Sequence, residues 1–294
     1  SKVMKRGFLK GALMGFAALA FVACEEKEVA VLDGTVSLNI SGLEDLGSDY
    51  VYEGWLITPS GPVTTGVFSV SGSGQLSKSS FTVAKTDIDA GNTFVLTIEP
   101  ASDPDPSPSA VHILAGDFSG TSANLTVGHG AALANDFTSA AGQFILATPS
   151  TATMDDENSG IWWLDPSGPS PTLTLPTLPD GWAYEGWAFI NGSPVSTGTF
   201  LSATGADSGE PFKGGMGTPP FPGEDFVANA PSGLSFPTSL LGGAGVISIE
   251  PVPDNSAAPF VLKPLVGPIA ADAAVHSLID MGQNLGFPTG TASK

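Results

Sequence analysis

The chain has 294 residues, with 29 acidic and 10 basic side chains and a formal charge of −19 at pH 7. After Cys24 it contains six lysines, no arginine and all 29 acidic residues, a formal charge of −23, which excludes most nucleic-acid binding because Lys and Arg must replace phosphate counterions. The single cysteine excludes an internal disulfide, and 41% hydrophobic residues exclude a disordered tail, while 37 glycines and 25 prolines are typical of turn-rich, extracellular all-β protein.

The first 24 residues have the pattern of an export signal. Basic residues precede an apolar run at 11–23, which is shorter than the roughly 20 residues of a membrane-spanning helix. The run ends in Phe-Val-Ala-Cys, which resembles a bacterial lipobox with Phe where Leu is usual. We therefore expect residues 1–24 to be a lipoprotein signal peptide with lipidation at Cys24, and residues 25–33 to be an acidic tether.

Downstream of the tether, short apolar segments that alternate with polar residues predict strands between Gly, Pro, Asp and Ser turns. They lie at 35–43, 51–58, 63–70, 93–99, 110–115, 123–127, 143–148, 160–164, 172–178, 183–190, 195–201, 245–250 and 260–266. No segment after residue 25 has a convincing helical period, and only short helical turns are expected at 130–135 and 270–278. The pattern predicts an all-β fold of two tandem β-sandwich (barrel-like) domains, at 34–141 and 142–294.

One motif occurs twice in this order. Tyr-Glu-Gly-Trp starts at Tyr52 and at Tyr184, and each copy is followed by a Pro-Val-(Thr/Ser)-Thr-Gly-x-Phe segment, with a constant offset of 132 residues. A third block, 95–100, recurs at 246–251 with an offset of 151, so the second copy has 19 additional residues. The insertion lies within 205–243 and predicts a long loop. The repetition predicts two copies of one scaffold.

Each copy of the motif predicts a β-hairpin. Alternation places Trp55 and Ile57 on one face, and Gly54 on the opposite face, where a neighbouring ring or backbone can approach closely. In the third block we expect Ile98 to face the core and Glu99 to face water. The second copy should follow the same pattern, with Trp187 and Phe189 on one face, Gly186 on the other, Ile249 inward and Glu250 outward.

These repeated residues resemble the extracytoplasmic C-terminal domain of anti-sigma-K factors (RskA type). The matching positions are Tyr52, Trp55, Pro62, Val63, Gly66, Phe68, Glu99, Pro100 and Pro108, and again Tyr184, Trp187, Pro194, Val195, Gly198, Phe200, Glu250, Pro251 and Pro259. The resemblance implies a compact β-sandwich outside the cytoplasm. Members of that family carry a sigma-binding region and a membrane helix ahead of this domain, whereas residues 1–30 here resemble only a lipoprotein signal.

The candidate chemical sites are acidic or aromatic. Glu53 with Glu99, and Glu185 with Glu250, give two glutamates per repeat, as a glycosidase would need, but a structural role is favoured because a duplicated active site is unusual. The acidic loop with Asp155 and Glu157 is a weak calcium candidate that lacks the bidentate Glu of a calcium loop, and a solvated turn is favoured.

Tryptophans cluster in the second half. Adjacent Trp162 and Trp163 must point to opposite faces of a strand, so one of them lies outside the core or under a loop. Together with Phe221 and Phe226 they are the candidate ligand-binding residues, with coverage by the 205–243 insertion as the favoured alternative. The three histidines, His112, His129 and His276, are scattered and indicate surface or loop positions, and no cofactor is expected.

We therefore expect a non-catalytic, exported envelope lipoprotein, held at the membrane by a lipid anchor, that acts as a binding, sensing or structural module for an envelope protein or glycan. Two alternatives stay open: a carbohydrate-binding or glycan-processing surface protein, and a regulator of an extracytoplasmic-function sigma factor that acts through a partner. The anchored protein would lie on the periplasmic or the cell-surface face of the envelope.

Overall fold

A computed structural model of the protein describes residues 32–254 and 256–294. The predictions for the signal peptide, Cys24 and most of the tether lie outside the described residues. The described chain is almost entirely β-structure, which confirms the all-β prediction. Within it, no helix combines the length and the apolar character that a bilayer crossing requires.

Nineteen strands, one short α-helix and one short 3-10 helix make up the described chain. The strands are β1 (Asp33–Ser41), β2 (Tyr50–Thr58), β3 (Gly61–Phe68), β4 (Ser80–Ala84), β5 (Thr93–Pro100), β6 (His112–Ser119), β7 (Ser122–Leu125), β8 (Gln143–Leu146), β9 (Gly160–Trp162), β10 (Leu164–Asp165), β11 (Ser170–Pro171), β12 (Trp182–Ile190), β13 (Ser193–Phe200), β14 (Gly223–Asp225), β15 (Ala244–Pro251), β16 (Leu265–Pro268), β17 (Ile279–Asp280), β18 (Gly282–Gln283) and β19 (Thr289–Ser293). The α-helix α1 is Lys85–Ala90, and the 3-10 helix is Glu157–Ser159.

The largest sheet is a nearly closed barrel of eight strands in the order β3-β2-β5-β6-β7-β19-β1-β4. Its strand pairs are antiparallel. Strand β19, from the last residues of the chain, lies between β1 and β7 and pairs with both. Residues 289–293, which the sequence assigned to the second half, thus complete the sheet of the first half.

The second half contains a five-stranded sheet, β13-β12-β15-β16-β18, a four-stranded sheet, β14-β9-β8-β17, and the β10-β11 pair. One cluster of buried apolar side chains runs through both halves, from Leu56 and Phe94 to Phe144, Trp163 and Ile247. The two halves therefore share a hydrophobic core, which positions the loops at their common edge.

The two repeated hairpins have the same register. Tyr52 pairs with Phe68 and Tyr184 with Phe200, and each hairpin has a β-bulge between the Gly and Trp of its motif. The paired rings are stacked, with centroids 5.6 Å and 5.7 Å apart. In both copies the tyrosine hydroxyl donates to the carbonyl oxygen eight residues earlier, that of Glu44 or of Pro176, at 2.9 Å and 2.5 Å. The copied aromatic residues are thus buried architecture.

The motif glycines lie against aromatic rings, as predicted. A Cβ on Gly54 would lie 2.7 Å from the ring of Phe94, and a Cβ on Gly186 would lie 2.9 Å from the ring of Trp163. On the opposite face Trp55 packs in one apolar cluster with Ile57, which confirms the predicted pairing.

Other predicted elements differ from the structure for local reasons. The predicted strand at 172–178 forms only one bridge, between Ala141 and Thr174, because prolines in and around this segment remove the backbone donors of a ladder. The predicted helical turns at 130–135 and 270–278 are turns without helix. The 205–243 insertion is partly ordered, since it contributes β14 and packs three phenylalanine rings, Phe212, Phe226 and Phe236, against one another.

Replacing either motif glycine with alanine should destabilise the fold. In Gly54→Ala and Gly186→Ala the new methyl group would overlap a buried ring and a threonine hydroxyl, and we expect a loss of about 1–3 kcal/mol in the free energy of unfolding. Chemical denaturation measures it. Gly72→Ala is the matched control, because nothing lies within 4 Å of its Cβ position. Equal stability of all three variants would contradict the close packing.

Candidate functional site

In the first repeat a chain of hydrogen bonds links a tryptophan to a buried glutamate. The indole Nε1 of Trp55 donates to Thr97 Oγ1 at 2.9 Å, and Thr97 Oγ1 donates to Glu99 Oε1. The backbone N–H of Ser109 donates to the same carboxylate oxygen at 2.8 Å. Glu99 therefore ties the end of β5 to the loop that leads into β6.

The second repeat contains the same chain of hydrogen bonds, with serine in place of threonine. Trp187 Nε1 donates to Ser248 Oγ at 2.7 Å, Ser248 donates to Glu250 Oε1, and the backbone N–H of Phe260 donates to Glu250 Oε1 at 2.8 Å. Glu99 and Glu250 are each only 1% exposed, so the prediction that they face water is wrong. Both strands are covered on both faces, and the carboxylates serve as internal acceptors.

The hairpin glutamates hold the returning strands. Glu53 Oε1 accepts from the Thr64 hydroxyl, and Glu185 Oε1 accepts from the Ser196 hydroxyl. The pKa of Glu185 is raised to about 7, mainly by burial and in addition by the neighbouring carboxylate of Asp254.

Three carboxyl groups meet in the second repeat. One oxygen each of Glu185, Glu250 and Asp254 lie within 4.8 Å of one another. Burial raises the pKa of Glu250 to about 8, with additional contributions from the other two carboxylates. None of the four ion pairs among the described residues involves this group, so none of its three carboxylates is paired directly with a basic side chain.

A cavity of about 510 Å³ opens beside this acidic group, between the loop ahead of β2 and the loop after β15. Pro100 and Pro251, which hold equivalent positions in the two repeats, both line it, so it lies between equivalent strand ends. Its apolar wall includes Ile98, Val111 and Phe260. No basic residue is among the described lining. Five acidic residues line the cavity: Glu44, Asp45, Asp49, Glu250 and Asp254.

The four aromatic candidates are buried. Trp162 and Trp163 are 0% exposed and pack in two different apolar clusters, as alternation predicts for neighbours on opposite faces. The insertion strand β14 covers the outward ring, since Trp162 Nε1 donates to Asp225 Oδ1 at 2.7 Å and a Cβ on Gly223 would lie 2.4 Å from that ring. Phe221 and Phe226 are 8% and 0% exposed. No ring of the four offers an open face to a sugar.

Acidic side chains of the loop at 155–157 take part in hydrogen bonds within the protein. Glu157 Oε2 accepts from the backbone N–H of Thr148 at 3.1 Å and lies 2.7 Å from His276 Nε2. Asp156, rather than Asp155, accepts the threonine hydroxyls of this loop. The calcium role predicted for Asp155 and Glu157 stays a prediction, and neither residue belongs to the acidic group described above.

Among the described residues two of the three histidines meet at Ala131, whose backbone N–H donates to His129 Nδ1 at 3.1 Å and whose carbonyl oxygen lies beside His112, whereas His276 contacts Glu157. His112 Nδ1 lies 2.8 Å from the carbonyl oxygen of Ala131, and His129 Nε2 lies 3.3 Å from Asp117 Oδ1. No hydrogen bond joins any of the three histidines to another.

Part of the chain matches a known family. Residues 27–111 match the family described as anti-sigma-K factor rskA, C-terminal, a range that covers less than half of the chain. It contains every position of the first copy that carried the resemblance, from Tyr52 to Pro108. No curated protein and no solved structure matches the chain.

Sequence reasoning missed Asp254 and the cavity. The signal that could have found Asp254 is the repeat itself, because Asp103 and Asp254 each follow the block glutamate by four residues. The cavity depends on how two distant loops meet, and no local pattern encodes that distance.

Removing the hydroxyl in the middle of either hydrogen-bond chain should destabilise the protein. Ser248→Ala and Thr97→Val each leave a buried indole N–H unpaired and take a donor from a buried carboxylate, so we expect losses of about 2–4 kcal/mol. Urea unfolding measures them, with Ser60→Ala on an exposed turn as the control. A Ser248→Ala protein as stable as the wild type would show that these hydrogen bonds contribute nothing to the free energy of unfolding.

Proposed function

We propose that this protein is a non-catalytic binding or sensing module of the bacterial envelope, built from two units like the C-terminal domain of anti-sigma-K factors. The family match of residues 27–111 supports this for the first unit. The shared register, bulge position and Trp-hydroxyl-Glu chain support a duplicated second unit. The match to a domain of a regulatory protein favours a regulatory binding role over catalysis.

The observation that carries the proposal is the acidic cavity between the two repeats. It has an apolar wall, five acidic residues and no basic residue in its described lining, so a cationic ligand with an apolar portion is complementary to it. A peptide segment that contains Lys or Arg beside apolar residues has this chemistry. The aromatic candidates for glycan stacking are buried, so nothing in the described structure favours the glycan alternative over this one.

A substitution that fills the cavity tests the proposal. Ala110 lines the cavity and is exposed, so Ala110→Trp should occupy the space without disturbing the core. On an array of 15-residue peptides, the wild-type protein should prefer Lys- and Arg-containing peptides, with an affinity that falls as salt rises. Ala110→Trp should weaken this binding at least tenfold, and Asp45→Asn should weaken it less.

Leu201→Trp is the matched control, because Leu201 is 72% exposed and does not line the cavity. If Ala110→Trp binds as the wild type does, the cavity is not the binding site. If the wild type prefers acidic peptides or binds none, the proposed ligand class is wrong.

We further propose that a lipid on Cys24 anchors the protein to the membrane, as the lipobox-like residues before it indicate. When the full chain is expressed in a bacterium with an alkyne-tagged fatty acid, the wild type should be labelled and should sediment with membranes. Cys24→Ser should lose the label. An unlabelled wild-type protein, or a labelled Cys24→Ser protein, would contradict the anchor.

A further inference from the structure

We propose that Glu185, Glu250 and Asp254 form a binding site for a divalent metal cation of the calcium type. The three carboxyl groups come from separate positions that the fold brings together. Glu185 on β12 pairs in register with Ser248 on β15, so Glu185 and Glu250 are diagonal neighbours on one face of the sheet. Asp254 follows in the loop after β15, and one oxygen of each group lies within 4.8 Å of the others.

Two buried oxygens of this group have no hydrogen-bond donor and belong to carboxyl groups that meet a third one, which points to a missing ligand. Glu99 Oε2 in the first repeat is also unpartnered, but its set does not bring three carboxyl groups within 4.8 Å. Glu185 and Glu250 are 6% and 1% exposed, and in each the Oε1 atom accepts the protein hydrogen bonds. The Oε2 atoms of both are buried and unpartnered. A buried carboxylate oxygen without a donor or counter-charge is costly. A cation held between the three carboxylates would supply a partner for oxygens of this kind.

The type of ligand atom indicates the class of cation that the site would bind. All three ligands are carboxylate oxygens, which suit hard cations rather than Zn²⁺ or Cu²⁺. Calcium–oxygen distances are about 2.3–2.6 Å, so two ligands of one ion lie at most about 5.2 Å apart, and three oxygens within 4.8 Å of one another can share a calcium ion. Magnesium needs about 2.0–2.1 Å and a nearly ideal octahedron, so it fits a three-carboxylate protein site less well.

The ion and its water ligands can reach this site from solvent. Glu250 and Asp254 line the acidic cavity, and Glu185 lines a neighbouring groove of about 400 Å³. Because calcium takes six to eight oxygen ligands, the openings on both sides leave room for waters to complete the shell.

The first repeat provides an internal comparison. Glu53, Glu99 and Asp103 hold the equivalent positions, at the same offsets of 132 and 151 residues. Among the described residues only the second-repeat set brings all three carboxyl groups within 4.8 Å. Asp103 is exposed, and Glu53 is less buried than Glu185. We therefore expect the first-repeat set to bind a cation more weakly or not at all.

Terbium luminescence tests the site directly, because Tb³⁺ replaces calcium and is sensitised by nearby tryptophan. The indole of Trp187 reaches Glu250 through Ser248 and is the natural sensitiser. Purified wild-type protein should give Tb³⁺ emission on tryptophan excitation, Ca²⁺ should displace it, and a titration with CaCl₂ should give measurable heat. Glu185→Gln and Asp254→Asn should lower the affinity at least tenfold, and Trp187→Phe should reduce the emission but not the heat.

The matched controls are Glu53→Gln and Asp103→Asn, which should leave the affinity within twofold of the wild type. Asp254 is exposed, so Asp254→Asn keeps the fold and remains informative if Glu185→Gln unfolds. Wild-type protein with neither emission nor heat at millimolar Ca²⁺ would overturn the proposal, and so would Asp254→Asn with unchanged affinity. The carboxyl groups would then share protons instead.

The cation site shares Glu250 and Asp254 with the lining of the acidic cavity, but its test can be separated from that of the peptide ligand. Ala110→Trp should keep terbium emission, and removal of cations with EDTA should leave the charge preference on the peptide array in place. A wild-type protein that gives terbium emission but binds no Lys- or Arg-containing peptide would count against the proposed function alone.

Discussion

In each repeat one buried carboxylate oxygen accepts two hydrogen bonds, and the candidate site depends on this interaction. Glu99 Oε1 and Glu250 Oε1 each receive a hydroxyl from their own strand and a backbone N–H from the loop ten residues on. A hydrogen bond to a charged group contributes about 1.5–3 kcal/mol, whereas an unpaired buried carboxylate costs more than that. The loops after β5 and β15 must therefore close over these oxygens, and these loops form the walls of the acidic cavity.

Both repeats place a glycine against an aromatic ring, but the ring comes from a different part of the fold in each repeat. In each hairpin a glycine at the bulge admits an aromatic ring, but the ring under Gly54 is Phe94, from the neighbouring strand of its own sheet, and the ring under Gly186 is Trp163, which follows β9 of another sheet. The first unit thus covers its glycine by itself, while the second needs the additional strands that precede it. This difference explains why the second half contains extra sheets around an equivalent hairpin.

Sequence reasoning predicted the parts of the fold that depend on neighbours along the chain. The hairpin register follows from the repeated spacing, and the approach of a ring to Gly54 follows from alternation. Strand β19 was missed because Thr-Gly-Thr-Ala-Ser has no large apolar residue, and its place between β1 and β7 is a long-range contact. The burial of Glu250 was missed because alternation assigns a polar residue to water, and only the covering loop reverses that assignment.

The acidic groups of the two repeats illustrate how a scaffold and a site can diverge. The Trp-hydroxyl-Glu chain is needed in both repeats, because without it each covering loop would lose its anchor. The third carboxylate takes no part in these hydrogen bonds. Asp103 is exposed and does not meet both of its glutamates within 4.8 Å, whereas Asp254 meets Glu185 and Glu250. Convergence of three like charges destabilises a fold that gains nothing from it. The three carboxylates converge in one repeat only, beside the cavity. This is the pattern expected if the scaffold was copied and only the second copy has a functional acidic group.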